Sequence, residues 1–240
     1  SRTVATHALS IFGDHSDIYA TRGTGFCMLA SSSVFDAQNL ATVAHLSAMK
    51  SSLPFLHFFD GFRTSHELNT IESFKEEELL KLIPWEEVNA FKNRALNVSC
   101  MKQRGLAENE DIYFQSLEAK NKDYEKVADV VNHYMKEINR LMKTNYAPFT
   151  YYGDTLAESV IVAMGSVSDT IRLVIDEERK KGHKLGLIEV HLYRPFSVKY
   201  LLDVLPSSVN RIAVLDRAKE SGSIGEPLYL DIVSSLKDKD

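Results

Sequence analysis

Residues 26–59 constrain the fold more than any other stretch. "FCMLA", residues 26–30, is an apolar run of strand length. "SSSVFDAQNLATVAHLSAMKSS" follows, with Val34, Ala37, Leu40, Ala41, Ala44 and Leu46 at helical spacing behind serines able to cap the first turn. "LPFLHFF" then reads as a second buried strand. Strand, helix and strand in so short a span form a βαβ unit with parallel strands. Such a sheet buries both faces, so the remaining chain must supply covering helices.

The same alternation restarts late in the chain. "SVIVAMG" is a strand, and "SVSDTIRLVIDEERKKG" a helix with Ser166 or Ser168 as cap and Gly182 as stop. "KLGLIEVHLY" is a strand, "SVKYLLDVLP" a short helix, "RIAVLDR" a strand and "GEPLYLDIVSSLK" a helix. Between the two α/β stretches the pattern changes. Residues 72–97 are helical and broken by Pro84, residues 98–120 show no clear period, and "TNYAPFTYYGD" reads as a connector. In residues 121–143, Tyr124, Val127, Val131, Tyr134, Ile138 and Leu141 recur every three to four positions, a long amphipathic helix. The expected fold class is therefore α/β, with two units of parallel sheet flanked by helices. The first covers 1–146 with its helical extension, and the second covers 147–240 and is incomplete at its C-terminus.

With 240 residues the chain is long enough for one or two domains. Its formal net charge is −5 and no basic stripe is present, which argues against nucleic acid as a partner. No apolar run approaches the roughly 18–20 residues that span a bilayer, so no membrane partner is expected. The beginning has neither an initiator Met nor signal-peptide architecture, and reads as a piece of a longer chain. Cys27 and Cys100 are isolated, without C-x-x-C spacing. They offer no metal or iron–sulfur site and suit a reducing compartment.

In open parallel sheets, ligands gather beyond the carboxyl ends of the strands. "HFFDGFRTSHE", residues 57–67, sits at such an end. Asp60, Arg63 and His66 either line a site there, or the stretch is a helix cap in which Thr64 or Ser65 caps and Glu67 favours the dipole. "SIFGDHSDIYATRGTGF" brings Asp14, His15, Asp17 and Arg22 together between glycines, in a spacing that matches no firm metal pattern and fits a structural turn. "GSVSDT" follows a strand as a phosphate-binding turn would, yet it lacks G-x-G-x-x-G and G-K-[ST] and reads as a helix cap. Arg194 and Arg217 follow successive strands, placed to line a crevice or to form ion pairs. Arg2 is a planar cation suited to grip a carboxylate through two parallel bonds, or it is a surface residue.

Taken together, the residues from "ATHALSIFGDHSDIYATRGTGFCMLASSS" through "HFFDGFRTSHE", with "NEDIYFQSLEAKN", "VIVAMGS", "GLIEVHLYRPF" and "IAVLDRAKE…GEPLYLDI", resemble the long single-chain pyruvate:ferredoxin oxidoreductases. The resemblance runs in order through essentially the whole chain. It implies a pyrimidine-type domain of a thiamine diphosphate enzyme followed by a transketolase C-terminal-like domain. It also implies oxidative decarboxylation of pyruvate with coenzyme A to acetyl-CoA and CO2, with electrons leaving through iron–sulfur clusters to ferredoxin or flavodoxin. Thiamine diphosphate, magnesium and clusters would belong to the full-length enzyme and none to this stretch alone. By the same likeness Arg2 matches the arginine that binds the pyruvate carboxylate, while Asp14, His15, Arg22, Asp60, Arg63 and His66 fall on a site-lining or interdomain face. A homodimer in the cytoplasm, or in an anaerobic organelle such as a hydrogenosome in a eukaryote, is the implied setting. The alternatives are a pyruvate:NADP oxidoreductase fusion, another 2-oxoacid oxidoreductase, or a non-catalytic scaffold pair in a multidomain reductase.

Overall fold

A computed structural model describes residues 7–8, 11–99, 101, 105 and 107–237. The elements, in order, are α1 (Ser16–Thr21), β1 (Cys27–Ser31), α2 (Val34–Ser51), β2 (Phe55–Phe59), a 3-10 turn (Thr64–His66), α3 (Glu76–Leu82), α4 (Trp85–Arg94), α5 (Glu110–Ala119) and α6 (Asn121–Met142). Then come β3 (Phe149–Gly153), β4 (Ser159–Ala163), α7 (Val167–Lys180), β5 (Leu185–Val190), β6 (Leu192–Arg194), α8 (Val198–Val204), β7 (Arg211–Leu215) and α9 (Pro227–Leu236).

The expected βαβ unit forms. Ser33 Oγ accepts from Asp36 N to cap α2, and β1 pairs with β2 in parallel. Every residue of β1 is buried, as a continuous apolar run requires when both faces are covered. Cys27 and Leu29 face a cluster built from α2 and α6, whereas Met28 and Ala30 join a cluster with Val160, Val162, Ile188 and Val190 of the second sheet. The two sheets therefore share one core. On α6 Val127, Val131, Tyr134 and Ile138 are buried as the spacing predicts, Ala128, Met135 and Met142 join them, and Tyr124 and Leu141 are half-buried at the edge of the stripe. Each large member adds roughly 1.5–3 kcal/mol of burial, which suffices to hold so long a helix against the sheet.

Three expectations are corrected. First, "KLGLIEVHLY" is two strands. The chain turns at His191, where the N–H groups of His191 and Leu192 both donate to Pro148 O. β5 stays in the second sheet, and β6 crosses to pair antiparallel with β1. Secondly, the connector contains β3, antiparallel to β5. Both sheets are thus mixed, in the orders β2-β1-β6 and β3-β5-β4-β7, with the expected parallel pairs β1–β2, β4–β5 and β4–β7 and one antiparallel edge strand each. Thirdly, residues 98–120 contain α5, whose apolar residues are exposed and leave no inward period to read.

Candidate functional site

Three loops at the carboxyl ends of parallel strands meet at one carboxylate. Asp60 follows β2 and is 4% exposed. Its Oδ1 lies 2.7 Å from His15 Nε2, and its Oδ2 accepts from Ser166 N at 2.8 Å and from the Arg217 guanidinium at 2.6 Å. Ser166, after β4, also donates its hydroxyl to Oδ2, and Arg217, after β7, bonds Gly13 O through Nε at 3.1 Å. His15 N donates in turn to Arg217 O. Burial alone would raise the Asp60 carboxyl, but hydrogen bonds from His15 and Ser166 outweigh it and hold the group well below the usual carboxylate range. The ionised acid requires a proton on His15 Nε2. His15 Nδ1 is buried with no hydrogen-bond partner among the described residues.

Two glycines let the loops approach. A Cβ on Gly13 would lie 2.9 Å from Gly61 O, so "SIFGDH" and "HFFDGF" pack backbone to backbone. Gly165 has φ +82°, and a Cβ there would lie 2.9 Å from Asp60 Oδ2. Gly13→Ala is expected to cost about 1–3 kcal/mol through overpacking, read from the midpoint of denaturant unfolding.

Around this clasp open two hollows. A cleft of about 770 Å³ is lined by Ser32, Phe62, Arg63, Thr64, His66, Glu67, Ser166, Asp169 and Arg217, among others. A smaller one of about 410 Å³ is lined by Gly13, Asp14, His15, Asp60 and Phe62 with their neighbours. Phe59 and Phe62, 43 and 48% exposed, line these hollows, and Phe12, 69% exposed, packs edge-on against Phe62. Beside the cleft a second buried acid, Glu189, accepts from Ser32 Oγ of the first unit and from Arg172 of α7 at 2.5 Å. Desolvation opposes its ionisation, but His191, Ser32 and Arg172 outweigh this and lower it.

The sequence candidates divide. Asp60 and His15 are central, while Arg63 and His66 line the larger cleft. Asp14 lines the smaller hollow and caps α1 locally, its Oδ1 accepting from Ser16 N and Oγ. Asp17 bonds Ile18 N, and Arg22 is tied to Tyr19 O and Glu220, away from the clasp. Among the described residues no group of three or more His, Cys, Asp or Glu gathers as a metal site. The helix-cap reading of "DGFRTSHE" is corrected, because only a 3-10 turn forms. There Thr64 Oγ1 donates to Ser32 O, and Ser65 Oγ accepts from Phe62 N. Arg194 pairs with Asp231, and Arg217 enters the clasp. Ser166 was legible only as a cap, yet its N–H and hydroxyl both serve Asp60. Arg2 and Cys100 lie outside the described residues. Cys27 is buried, which pushes its thiol up to about 12. No helix among the described residues is long and apolar enough to cross a membrane.

Residues 1–136 match the family described as pyruvate flavodoxin/ferredoxin oxidoreductase, thiamine diphosphate-binding. The chain belongs to that family. Residues 157–240 match core domain II of pyruvate:ferredoxin oxidoreductase. Among curated relatives, the pyruvate:ferredoxin oxidoreductase of Moorella thermoacetica is 51% identical over 98% of this chain. The probable pyruvate-flavodoxin oxidoreductase of Escherichia coli K12 is 50% identical over 98% of the chain. The NADP-dependent pyruvate dehydrogenase of Cryptosporidium parvum is 45% identical over 98%. The chain spans 20% of the length of the first two and 12% of the third. A solved 2-oxoglutarate:ferredoxin oxidoreductase from Magnetococcus marinus shares the fold, with TM-score 0.56 and 13% identity over 98% of this chain and 42% of its own.

Proposed function

We propose that this chain is part of an enzyme that oxidatively decarboxylates pyruvate with coenzyme A, forming acetyl-CoA and CO2, and passes electrons through iron–sulfur clusters to ferredoxin or flavodoxin. The observation that carries the reading is identity near 50% running through 98% of the chain to proteins of that name. The 45% identity to an NADP-dependent pyruvate dehydrogenase supports a second electron route, to NADP. The test is the full-length protein, purified without oxygen and given pyruvate, coenzyme A and either ferredoxin or flavodoxin. Pyruvate-dependent reduction of either carrier, with acetyl-CoA formed, is expected. Reduction of NADP in their place selects the second route, and inertness towards pyruvate overturns both.

Thiamine diphosphate would supply the electron sink for decarboxylation. The described residues do not fit its diphosphate end. They gather no group of three or more His, Cys, Asp or Glu to hold the cation of a diphosphate, and the larger cleft sets the acids Glu67 and Asp169 beside Arg63, His66 and Arg217. That end, magnesium and the clusters are therefore assigned to parts of the enzyme beyond these residues. The division at residue 146, with the second unit serving chiefly in interdomain packing, is part of the same proposal. So is the role of the strand-end face: His15 and Asp60 lock it, and Asp14, Arg63 and His66 line it towards the cofactor-bearing domain. Arg22 takes the peripheral, interfacial share of that face.

Arg2 is assigned the pyruvate carboxylate. A guanidinium fork makes two parallel bonds where an ammonium makes a point contact. In the full-length enzyme Arg2→Ala is expected to raise KM for pyruvate at least about tenfold, or roughly 1.4 kcal/mol. Arg2→Lys should not restore it, and KM for coenzyme A should stay near the wild-type value. Unchanged pyruvate kinetics in Arg2→Ala would make it a surface residue.

A further inference from the structure

Between Phe58 and Val127 no apolar side chain among the described residues is buried. Neither α4 nor α5 has a buried residue. On α5, Ile112, Tyr113, Phe114 and Leu117 are 52, 55, 65 and 44% exposed, and on α4 Trp85 and Phe91 are 52 and 60% exposed. Helices of 10 residues are marginal in water on their own and depend on packing an apolar face. On α4, Glu87 and Arg94 are tied to Lys50 and Ser52 of the α2 end and Phe91 lies under Arg94, whereas on α5 Ile112, Tyr113, Phe114 and Leu117 lie together and bare, more than scattered single exposures. The stretch is also acidic: residues 108–118 contain Glu108, Glu110, Asp111 and Glu118 and no basic residue.

We propose that the exposed apolar, acidic surface of α5 is a docking surface for another domain of the same, longer polypeptide, one that presents an apolar patch rimmed by Lys or Arg. The relatives carry this chain as 20% of their length, so most of the molecule lies outside it. A tethered domain acts at an effective concentration in the millimolar range, which a second copy must outcompete. The acids around the apolar side chains set the sign of the partner's rim and its register. This inference rests on the family membership behind the proposed function, and not on the reaction.

The test uses the full-length enzyme with p-benzoylphenylalanine in place of Phe114 and, separately, of Tyr113. Each is co-expressed with a differently tagged copy that lacks the photoreactive group. After irradiation, peptide mapping is expected to find cross-links within one copy, to an apolar segment outside these 240 residues. Glu110→Lys with Asp111→Lys should lower the cross-link yield at least about threefold, because the rim then meets like charge. Cross-links into the differently tagged copy would overturn the proposal in favour of a second copy. Absence of cross-links at both positions, or links confined to these 240 residues, would also overturn it. Pyruvate turnover is assayed on the wild-type enzyme, so failure of the reaction and failure of the docking are read separately.

Discussion

Asp60→Ala is expected to lower folding stability by about 3–5 kcal/mol, the range for removing one partner of a buried, hydrogen-bonded charge pair. The loss is large because Asp60 accepts from three different loops. Without it the Arg217 guanidinium, His15 Nε2 and both Ser166 donors face a buried gap. Asp60→Asn keeps one acceptor oxygen and should fall between the two. Denaturant midpoints at neutral pH measure all three proteins, and an alanine variant within about 1 kcal/mol of wild type would show that the clasp holds little. The pH dependence has a definite sign. The folded-state pKa of Asp60 is lowered from its ordinary 3.8, so its contribution is fully present above that value and is lost as the pH falls below it. The wild type should therefore lose more stability than Asp60→Asn on acidification from pH 5.

Gly165→Ala is the second large effect, expected at about 3 kcal/mol. Two costs add. The φ of +82° is a conformation that an L side chain adopts only with strain, and the new methyl would press on the Asp60 carboxylate at 2.9 Å. The carboxylate cannot retreat, since it is held by Ser166 and Arg217. Gly182→Ala is the internal control. Its φ is +87° with nothing within 4 Å of an added Cβ, so it carries the strain without the collision. Thermal or denaturant unfolding should rank wild type, Gly182→Ala and Gly165→Ala in falling stability. Equal losses at the two glycines would remove the steric part of the argument.

Much of the fold was legible because it obeys local rules. The βαβ unit announces itself through the buried run at 27–31 and the serine cap at Ser33, and α6 through the inward stripe of Val127, Val131, Tyr134 and Ile138. What escaped was decided by partners distant in the chain. Nothing in "KLGLIEVHLY" marks His191 as the place where one strand becomes two, because the break is made by Pro148 and Ala30, which bond the backbone at His191. β3 looked like a connector since "APFTYYGD" has no helix period and is bounded by Pro and Gly. At the site, Asp60 and His15 stood out as polar groups at the ends of apolar runs. Their pairing across 45 residues, and the arrival of Ser166 and Arg217 from the second unit, depend on how the two sheets share a core. The two motif glycines carried the strongest hint. Gly13 and Gly61 each sit beside an acid in a short loop, and the structure shows those loops touching at the glycines.

The short strand β6 sets a timetable for synthesis. It pairs Arg194 with Met28 and Leu192 with Leu29, so the edge of the first sheet is supplied by chain made long after β1. At about 5–20 residues added per second, β1 waits on the order of ten to thirty seconds for that neighbour. During the wait its amide and carbonyl groups form an open template flanked by apolar Met28 and Leu29. Ribosome-bound chains halted before residue 194 should therefore be the species that chaperones hold and that aggregates form from, and release past it should close the sheet.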